Sequence, residues 1–510
     1  MSHDRSVRRI GAARHNAVDV RASLALVGML LKYLSLAALF PALMAVGYRE
    51  PFWPFLLAGA IAAAVGWSLE RGLGGATSVG FREGYLVVSL TWIAAAAFGA
   101  LPFILSGEPQ LDRPLDALFE SMSGFTTTGS TVLTDVESLD RSLLMWRQFT
   151  QWLGGMGIIV LALAVLPRLR VGGRQLLESE LPGPEINQFA DRIRDTARRL
   201  WLLYIALTAV LFAALLAIGF LGDDRMGPYE ALAHAFTTMP TGGFSTEARS
   251  IEEFSAATHW VIALFMLLAG INFALLYRGF VRRQPGPALR DEELWVYGAL
   301  VLFGTALLTA VVWSEGFADG ERAFRDGFFQ SVSLMTTTGF SNFDYTGWPT
   351  VALMLLVALM FVGGCAGSTS GSIKVVRHVL MGKSLRRELR QTVHPEEVVP
   401  VRLNRRVLDE RTVRAATVFV LLYVGIFVAG AAVIAIDTTF QGPDLSPLDV
   451  MATAGTTLGN VGPGLGVAGP IGSFEGYSDV STVTMTLLMW VGRLEVIPVV
   501  VLLTRRYWRV

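Results

Sequence analysis

The sequence predicts an all-α membrane protein in which four repeats of helix, re-entrant loop and helix stand in pseudo-fourfold arrangement around one axis. Two extra transmembrane helices precede them at the N-terminus. Two observations carry this expectation. The 510 residues are 53% hydrophobic and 16% charged, with a mean hydropathy of +0.50, which is too apolar for an ordinary soluble protein of several domains. An acidic residue also stands 13 positions before a glycine four times over: Asp116 and Gly129, Glu230 and Gly243, Asp326 and Gly339, Asp449 and Gly462. The glycines are 114, 96 and 123 residues apart, too regular for chance and too long for a solenoid repeat.

Apolar runs of about 20 residues, enough to cross a hydrocarbon layer of about 30 Å, start near Ser23, Phe52, Tyr85, Leu144, Leu200, Trp260, Leu294, Val351, Val413 and Val483. They predict about ten crossings. Residues 1–22 form a cytosolic lead-in carrying Arg5, Arg8, Arg9 and Arg14. The apolar run behind it continues to about Val46, too long for a signal peptide, so an uncleaved first helix is expected. Helices at about 23–47 and 52–69, joined by Gly47-Tyr48-Arg49-Glu50-Pro51, form the extra pair (23–70), which has no loop of the repeated kind. The repeats then occupy 80–168, 197–282, 291–378 and 412–510, separated by cytosolic linkers at 169–196 and 379–411.

Orientation follows from charge. The stretch 437–480 holds Asp437, Asp444, Asp449, Glu475 and Asp479 without a Lys or Arg. The stretches 168–199 and 374–414 are crowded with Arg168, Arg170, Arg174, Arg192, Arg194, Arg198 and Arg199, then Lys374, Arg377, Arg386, Arg387, Arg390, Arg405 and Arg406. Positive residues stay on the cytoplasmic side, so the glycine loops open outward and both termini lie inside.

Within each repeat a short helix is expected before the glycine, starting near its acid, as Pro114-Leu115-Asp116 and Pro447-Leu448-Asp449 suggest. The ten or so residues from acid to loop give about 15 Å of helix, half the membrane thickness. Such a helix enters but cannot cross. The loop after it must be buried in protein or line water, since lipid cannot satisfy its backbone. The helix also turns its partly negative C-terminus toward the membrane centre, and four such ends favour a cation on the axis.

The loop cores are Thr127-Thr128-Gly129-Ser130, Thr241-Gly242-Gly243-Phe244, Thr337-Thr338-Gly339-Phe340 and Asn460-Val461-Gly462-Pro463. A cation stripped of water needs a ring of oxygens, and four loops supply it by turning backbone carbonyls inward; glycine permits the positive φ of such a turn. One Thr-x-Gly alone reads as an ordinary turn. Four at one offset in a membrane chain read as helix–pore-loop–helix repeats around one pore.

The chain resembles the Trk/Ktr/HKT superfamily of potassium transporters, and within it the bacterial Trk-H type of membrane subunit. The resemblance covers nearly the whole chain and rests on the loops together with five stretches. These are Trp146-Arg147-Gln148-Phe149-Thr150-Gln151-Trp152-Leu153-Gly154-Gly155-Met156-Gly157, Gly270-Ile271-Asn272-Phe273, the run from Gly363 to Lys374, and Gly459-Asn460-Val461-Gly462-Pro463-Gly464-Leu465-Gly466, closed by Gly492-Arg493-Leu494-Glu495. It implies that Gly129, Gly243, Gly339 and Gly462 form a potassium filter, with Thr127, Thr128, Thr241, Gly242, Thr337, Thr338, Asn460 and Val461 beside them and K+ as the transported ion. Relatives with serine at the first position tend to pass sodium, so Gly129 argues for potassium. Asn460 stands where the other loops have Thr, an asymmetry that Trk-H-like members share. The family works as a homodimer on a cytosolic ring of nucleotide-binding Trk-A type subunits in the bacterial inner membrane.

Control is expected below the loops. Arg493 falls mid-membrane, where an unpaired charge is costly, and its neighbour Glu495 is two residues away, off its helical face. A fixed positive charge beneath the filter would repel cations. The stretch 363–372, with Gly363, Gly364, Gly367 and Gly371 beside Ser368, Thr369, Ser370 and Ser372, is too rich in glycine for a continuous helix and too polar for a packing surface alone. The resemblance implies a gate made of this segment and Arg493, with Lys374 anchoring the segment's inner end.

Other residues have plainer readings. Arg147 is expected in a structural pairing, His234 as a satisfied packing residue, and Cys365 as a small apolar residue. Glu108, Asp135, Glu137, Asp223 and Asp224 are expected on a solvated outer face. A basic helical piece, Ser384 to Arg390, and a hairpin-like alternation around Asn404 mark the cytosolic surface; its arginines suit anionic lipid or the Trk-A type ring. Gly72-Leu73-Gly74-Gly75 follows a membrane helix rather than a strand and is no nucleotide motif. A net charge of zero speaks against nucleic acid. With no nucleophile–base set and no metal spacing, an enzyme is not expected, and no cofactor in the chain. The reading is potassium uptake through a gated four-loop filter, the alternative a proton- or sodium-coupled symporter.

Overall fold

The computed structural model describes residues 18–74, 80–157 and 185–509. Most of the expected lead-in with Arg5, Arg8, Arg9 and Arg14, Gly75, the end of the first repeat with Arg168, and the linker stretch with Arg170 and Arg174 lie outside the described residues, as do the side chains of Arg192 and Arg194.

The added pair is α1 (Val20–Leu34), running through one 3-10 turn into α2 (Leu39–Tyr48), and α3 (Trp53–Leu73). α1 and α3 pack along each other, with Lys32 paired to Glu70. The first repeat contains α4 (Phe81–Ser106), the short α5 (Pro114–Phe125) and α6 (Arg141–Gly155). α4 stops at Gly107, whose φ of 73° makes a left-handed cap. The second contains α7 (Glu185–Leu221), α8 (Pro228–Thr238), α9 (Ala256–Ala269) and the one-turn α10 (Phe273–Leu276). The third has α11 (Glu292–Ser314), α12 (Gly320–Met335), α13 (Thr350–Met360) and the basic α14 (Val375–Val393). A two-stranded hairpin, β1 (Arg402–Leu403) and β2 (Arg406–Val407), turns through Asn404 and Arg405 at φ 49° and 67°, the left-handed pair that suits a tight hairpin. The fourth has α15 (Glu410–Phe440), α16 (Pro447–Gly459), α17 (Asp479–Arg493), α18 (Ile497–Leu503) and the terminal α19 (Arg505–Trp508).

Among the described residues six helices are long and apolar enough to cross a bilayer, or eight if each bent pair is one span. The bent pairs are Ala256–Ala269 with Phe273–Val281, at 103°, and Asp479–Arg493 with Ile497–Leu503, at 114°. One of the ten expected runs differs, since α13 has 11 residues before its helix breaks; the run from Leu144 passes outside the described residues. Residues 361–374 contain no helical turn, as their glycine content predicts.

Pro114, Pro228 and Pro447 occupy the first turn of α5, α8 and α16, where a missing N–H costs nothing. Asp116, Glu230 and Asp449 lie in those first turns, as expected. The third repeat departs: α12 begins at Gly320, its first-turn acid is Glu321, and Asp326 sits deeper and buried. Lacking a proline, that helix extends outward by more than a turn. The inner ends are enclosed on every face, with residues 119–125 of α5 and 452–459 of α16 all buried, so their surroundings are protein rather than lipid.

The packing closes a circle. The post-loop helix of each repeat lies against the short helix of the next: α6 on α8, α9 on α12, α13 on α16, and α17 back on α5. This is the pseudo-fourfold arrangement that the repeat spacing predicts.

Candidate functional site

At the centre of that circle the four loops meet. Each is left-handed at two alternate positions. The residue two before the glycine has φ of 53° (Thr127), 56° (Thr241), 58° (Thr337) or 54° (Asn460), and the glycine itself 90°, 80°, 81° or 114° for Gly129, Gly243, Gly339 and Gly462. The intervening N–H caps its own short helix by the same bond in all four: Thr128 N to Ser123 O (2.8 Å), Gly242 N to Thr237 O (2.8 Å), Thr338 N to Ser333 O (2.8 Å) and Val461 N to Thr456 O (2.9 Å). One local geometry has been built four times.

The glycines touch in rotation. A Cβ on Gly129 would lie 2.3 Å from Gly242 O, one on Gly243 1.9 Å from Thr338 O, one on Gly339 2.0 Å from Val461 O, and one on Gly462 2.8 Å from Thr128 O. Each loop therefore abuts the carbonyl just before the next loop's glycine, and the fourth returns to the first. No side chain fits at these points. What the loops present to one another is backbone oxygen, with four helix C-termini, the partly negative ends, directed at the same place. The fourth loop differs as expected: Asn460 donates to Thr128 Oγ1 (3.0 Å) and Met489 O (2.9 Å), which turns its side chain into the packing.

Cavities lie on both sides of the ring. One is lined by all four glycines with Ser130, Arg147 and Ser245 among others. The other is lined by Gly155, Gly367, Gly371, Lys374, Arg493 and neighbours. The segment 361–374 supplies residues 367–372 and Lys374 of the second lining. Its stem is closed by Gly363 N to Ile373 O (2.9 Å) and Val375 N to Gly364 O (3.1 Å). Its flank is tied to the break between α9 and α10 by Cys365 N to Gly270 O (2.8 Å) and Phe273 N to Gly367 O (3.1 Å). Next to its stem it reaches the ring itself, where Gly371 N donates to Thr337 Oγ1 at 2.7 Å.

Arg493 is buried at the end of α17 and grips two neighbours, donating to Thr369 O (3.0 Å) and Gly154 O (3.1 Å). Glu495 pairs with Arg377, but not because of helical spacing: the helix ends at Arg493, and Glu495 lies in the break after it at φ 55°. The Arg493 charge thus lies against the segment with no carboxylate paired to it among the described residues. Lys374 is buried and donates to Ser370 O, holding the segment's inner end. The expected gate residues are therefore assembled in one place, with Ser368 and Thr369 at the tip beside Arg493.

The plainer expectations also find partners. His234 lies 2.8 Å from Glu230 O through Nδ1 and 3.0 Å from Ser245 Oγ through Nε2, and Cys365 is buried. Arg147 is buried, pairs with Glu120 at 2.5 Å and lies 3.5 Å over the Phe244 ring. Asp223 corrects the solvated-face reading: it is buried and accepts from Thr258 Oγ1 (2.7 Å) and Ser255 N (2.8 Å). Burial pushes its carboxyl up, but these bonds outweigh it and hold the pKa below the ordinary value.

Sequence reasoning missed two supports of the ring. Gln151 donates to Gly242 O at 2.7 Å and accepts from Phe244 N at 3.2 Å. The residues nine before each ring glycine are Glu120, His234, Gln330 and Thr453, all buried and polar. Their shared offset is the signal that could have found them.

Fold and site together define a multi-pass helical membrane transport protein with four re-entrant loops in one chain. A family model described as TrkH, cation transport protein, matches residues 55–292 and 315–509, and the chain belongs to this family. It is 38% identical over 497 residues to the Trk system potassium uptake protein TrkH of Salmonella typhimurium, covering 96% of this chain and 99% of the relative. It is 33% identical over 501 residues to the Trk system potassium uptake protein TrkG of Escherichia coli K12, covering 97% and 100%. The crystal structure of the potassium transporter TrkH from Vibrio parahaemolyticus superposes with a TM-score of 0.83 at 32% identity, covering 96% of this chain and 99% of that one.

Proposed function

We propose that this protein takes up potassium across the bacterial inner membrane, with both termini cytoplasmic, through a filter made by the four loops. The observation that carries the reading is the rotary contact of Gly129, Gly243, Gly339 and Gly462 with the carbonyls of Gly242, Thr338, Val461 and Thr128. Dehydrated potassium needs this kind of oxygen cage, and the relatives are named for potassium uptake. The segment 361–374 and Arg493 form the gate: the segment lies under the ring, and the guanidinium lowers cation occupancy by repulsion.

The protein works as a homodimer carrying a cytosolic nucleotide-binding ring of Trk-A type. The basic α14, with exposed Leu385, Leu389 and Val393, and the hairpin after it form the surface that ring would meet.

Ion flux in liposomes tests this. Purified protein should pass potassium or rubidium down a gradient without a coupling ion, and addition of the cytosolic partner should change the rate. Flux strictly dependent on an imposed proton or sodium gradient would replace the gated pathway by symport, and absence of potassium flux with and without the partner would remove the reading.

A further inference from the structure

Behind the ring, toward the outer mouth, the same two positions of successive repeats are joined by side-chain hydrogen bonds. They stand nine residues before and two residues after the ring glycine. In the first repeat Glu120 accepts from Thr131 Oγ1 and from Val132 N, both at 3.0 Å. In the second, His234 Nε2 lies 3.0 Å from Ser245 Oγ. In the third, Gln330 Nε2 donates to Ser341 Oγ (2.9 Å) and to Asn342 Oδ1 (3.0 Å), and Asn342 in turn donates to Asp326 (2.8 Å). An acid, an imidazole and an amide are thus equivalent here, since each ties the strand that leaves the ring to the short helix that enters it. In the fourth, Gly464 offers no hydroxyl, and Thr453 bonds to the Tyr477 hydroxyl instead at 2.9 Å.

These braces are also linked to one another. Arg147, paired with Glu120, donates to Ser245 O at 3.0 Å, joining the first brace to the second. Ser245 Oγ donates to Ser250 O (2.7 Å), and Ser250 Oγ accepts from Ser341 N (3.0 Å), joining the second to the third. Ser130 Oγ donates to Gly462 O (2.7 Å), and Phe474 N to Thr131 O (2.9 Å), joining the fourth loop to the first. Among the described residues no hydrogen bond joins the third loop to the fourth at this level.

We propose that this belt fixes the diameter of the ring, and that Glu120, His234 and Gln330 are positioning residues for ion selectivity. The inference rests on the reading of the ring as the potassium filter. The ring's oxygens belong to backbone, and a backbone free to contract would fit a smaller cation. Resistance to contraction has to come from groups behind the carbonyls. The belt is buried, so its bonds are stronger than exposed ones and a missing partner leaves the other end unsatisfied.

The test is the potassium-to-sodium flux ratio of the full chain in liposomes. His234→Leu and Gln330→Leu are expected to lower the ratio about tenfold or more, chiefly by admitting sodium. His234→Gln, which places in the second repeat the brace residue of the third, is expected to restore a ratio near wild type. A merely structural role would lower total flux or yield without moving the ratio. Where a leucine variant does not fold, Ser245→Ala removes the far end of the same brace and should lower the ratio likewise. Wild-type ratios in folded His234→Leu, Gln330→Leu and Ser245→Ala proteins would overturn the proposal, whereas wild-type protein that passes no potassium would overturn the filter reading instead.

Discussion

Four loops enter the ring with the same two left-handed positions and the same capping bond, whereas the segment beneath it, 361–374, comes from one repeat alone. Among the described residues shorter breaks occur at 270–272 and 494–496 in the neighbouring repeats, and the break of the third repeat is the longest of the three. The ring is held by backbone contacts in rotation and by a belt of side chains behind it. The segment is held at its stem, at one flank, by Glu293 and Arg493, and by bonds to Thr337 and Met239. The difference separates two demands. Choosing between ions of like charge needs oxygens that do not yield. Opening a path needs one part that moves while the rest stays in place, and an asymmetric part can do so without disturbing the other three quarters.

The largest effect should come from breaking the ring. Gly243→Ala would set a Cβ 1.9 Å from Thr338 O, a backbone atom that cannot step aside, so selective potassium uptake should fall more than about a hundredfold. Rubidium flux measures this, and near-normal selective flux would separate the rotary contact from selection. Next, Arg493→Ala removes a fixed charge beneath the ring and should raise potassium flux by about tenfold, the scale of a charge felt through a partly screened path of several ångströms. Unchanged flux would leave Arg493 as a tie between Thr369 O and Gly154 O. Deleting Ser368, Thr369 and Ser370 should make the pathway leak severalfold without the partner ring; loss of folding with no leak would count against a gate here.

A smaller effect is expected at the bond from the segment to the third loop. Thr337→Val removes the acceptor for Gly371 N, a buried hydrogen bond worth about 1 kcal/mol, and should raise flux by about fivefold, with Thr337→Ser restoring it. If both variants behave alike, ring and segment are not coupled through this hydroxyl. The smallest effect belongs to the scaffold. Asp223, whose carboxyl is held below its ordinary value by Thr258 and Ser255, adds stability that is present above the unfolded carboxylate pKa of about 3.9. That contribution is lost as pH falls through the folded value. Asp223→Asn should therefore lower the melting temperature at neutral pH and narrow the difference from wild type in acid, with ion selectivity unchanged.

Much of this was legible before any coordinate. The acid-to-glycine offset located all four ring glycines, and the density of Gly, Ser and Thr located the break after α13. Asn460 announced the unequal fourth loop. What the residues did not announce were partnerships across distance. Glu120 and Arg147 are 27 positions apart, and Arg493 meets Gly154 across 339. Such contacts follow from the circular packing of the repeats, and local periodicity carries no trace of it. Asp326 misled for a simpler reason: without a proline to start it, α12 runs on past the acid. Asp223 looked like any outer acid because its donors, Ser255 and Thr258, lie more than 30 residues downstream.

Because the ring closes from loop to loop within a single polypeptide, its four quarters are separately encoded. In an assembly of four identical chains any codon change strikes every quarter together, so most alterations of such a ring are tested at fourfold dose. Here each quarter can drift alone. That freedom accounts for an acid, an imidazole, an amide and a hydroxyl holding corresponding places behind one ring, and for an asparagine turned aside in the fourth loop while the other three keep threonine. It also means that a chain of this kind can tune its ion preference by quarters, in steps finer than a symmetric assembly allows.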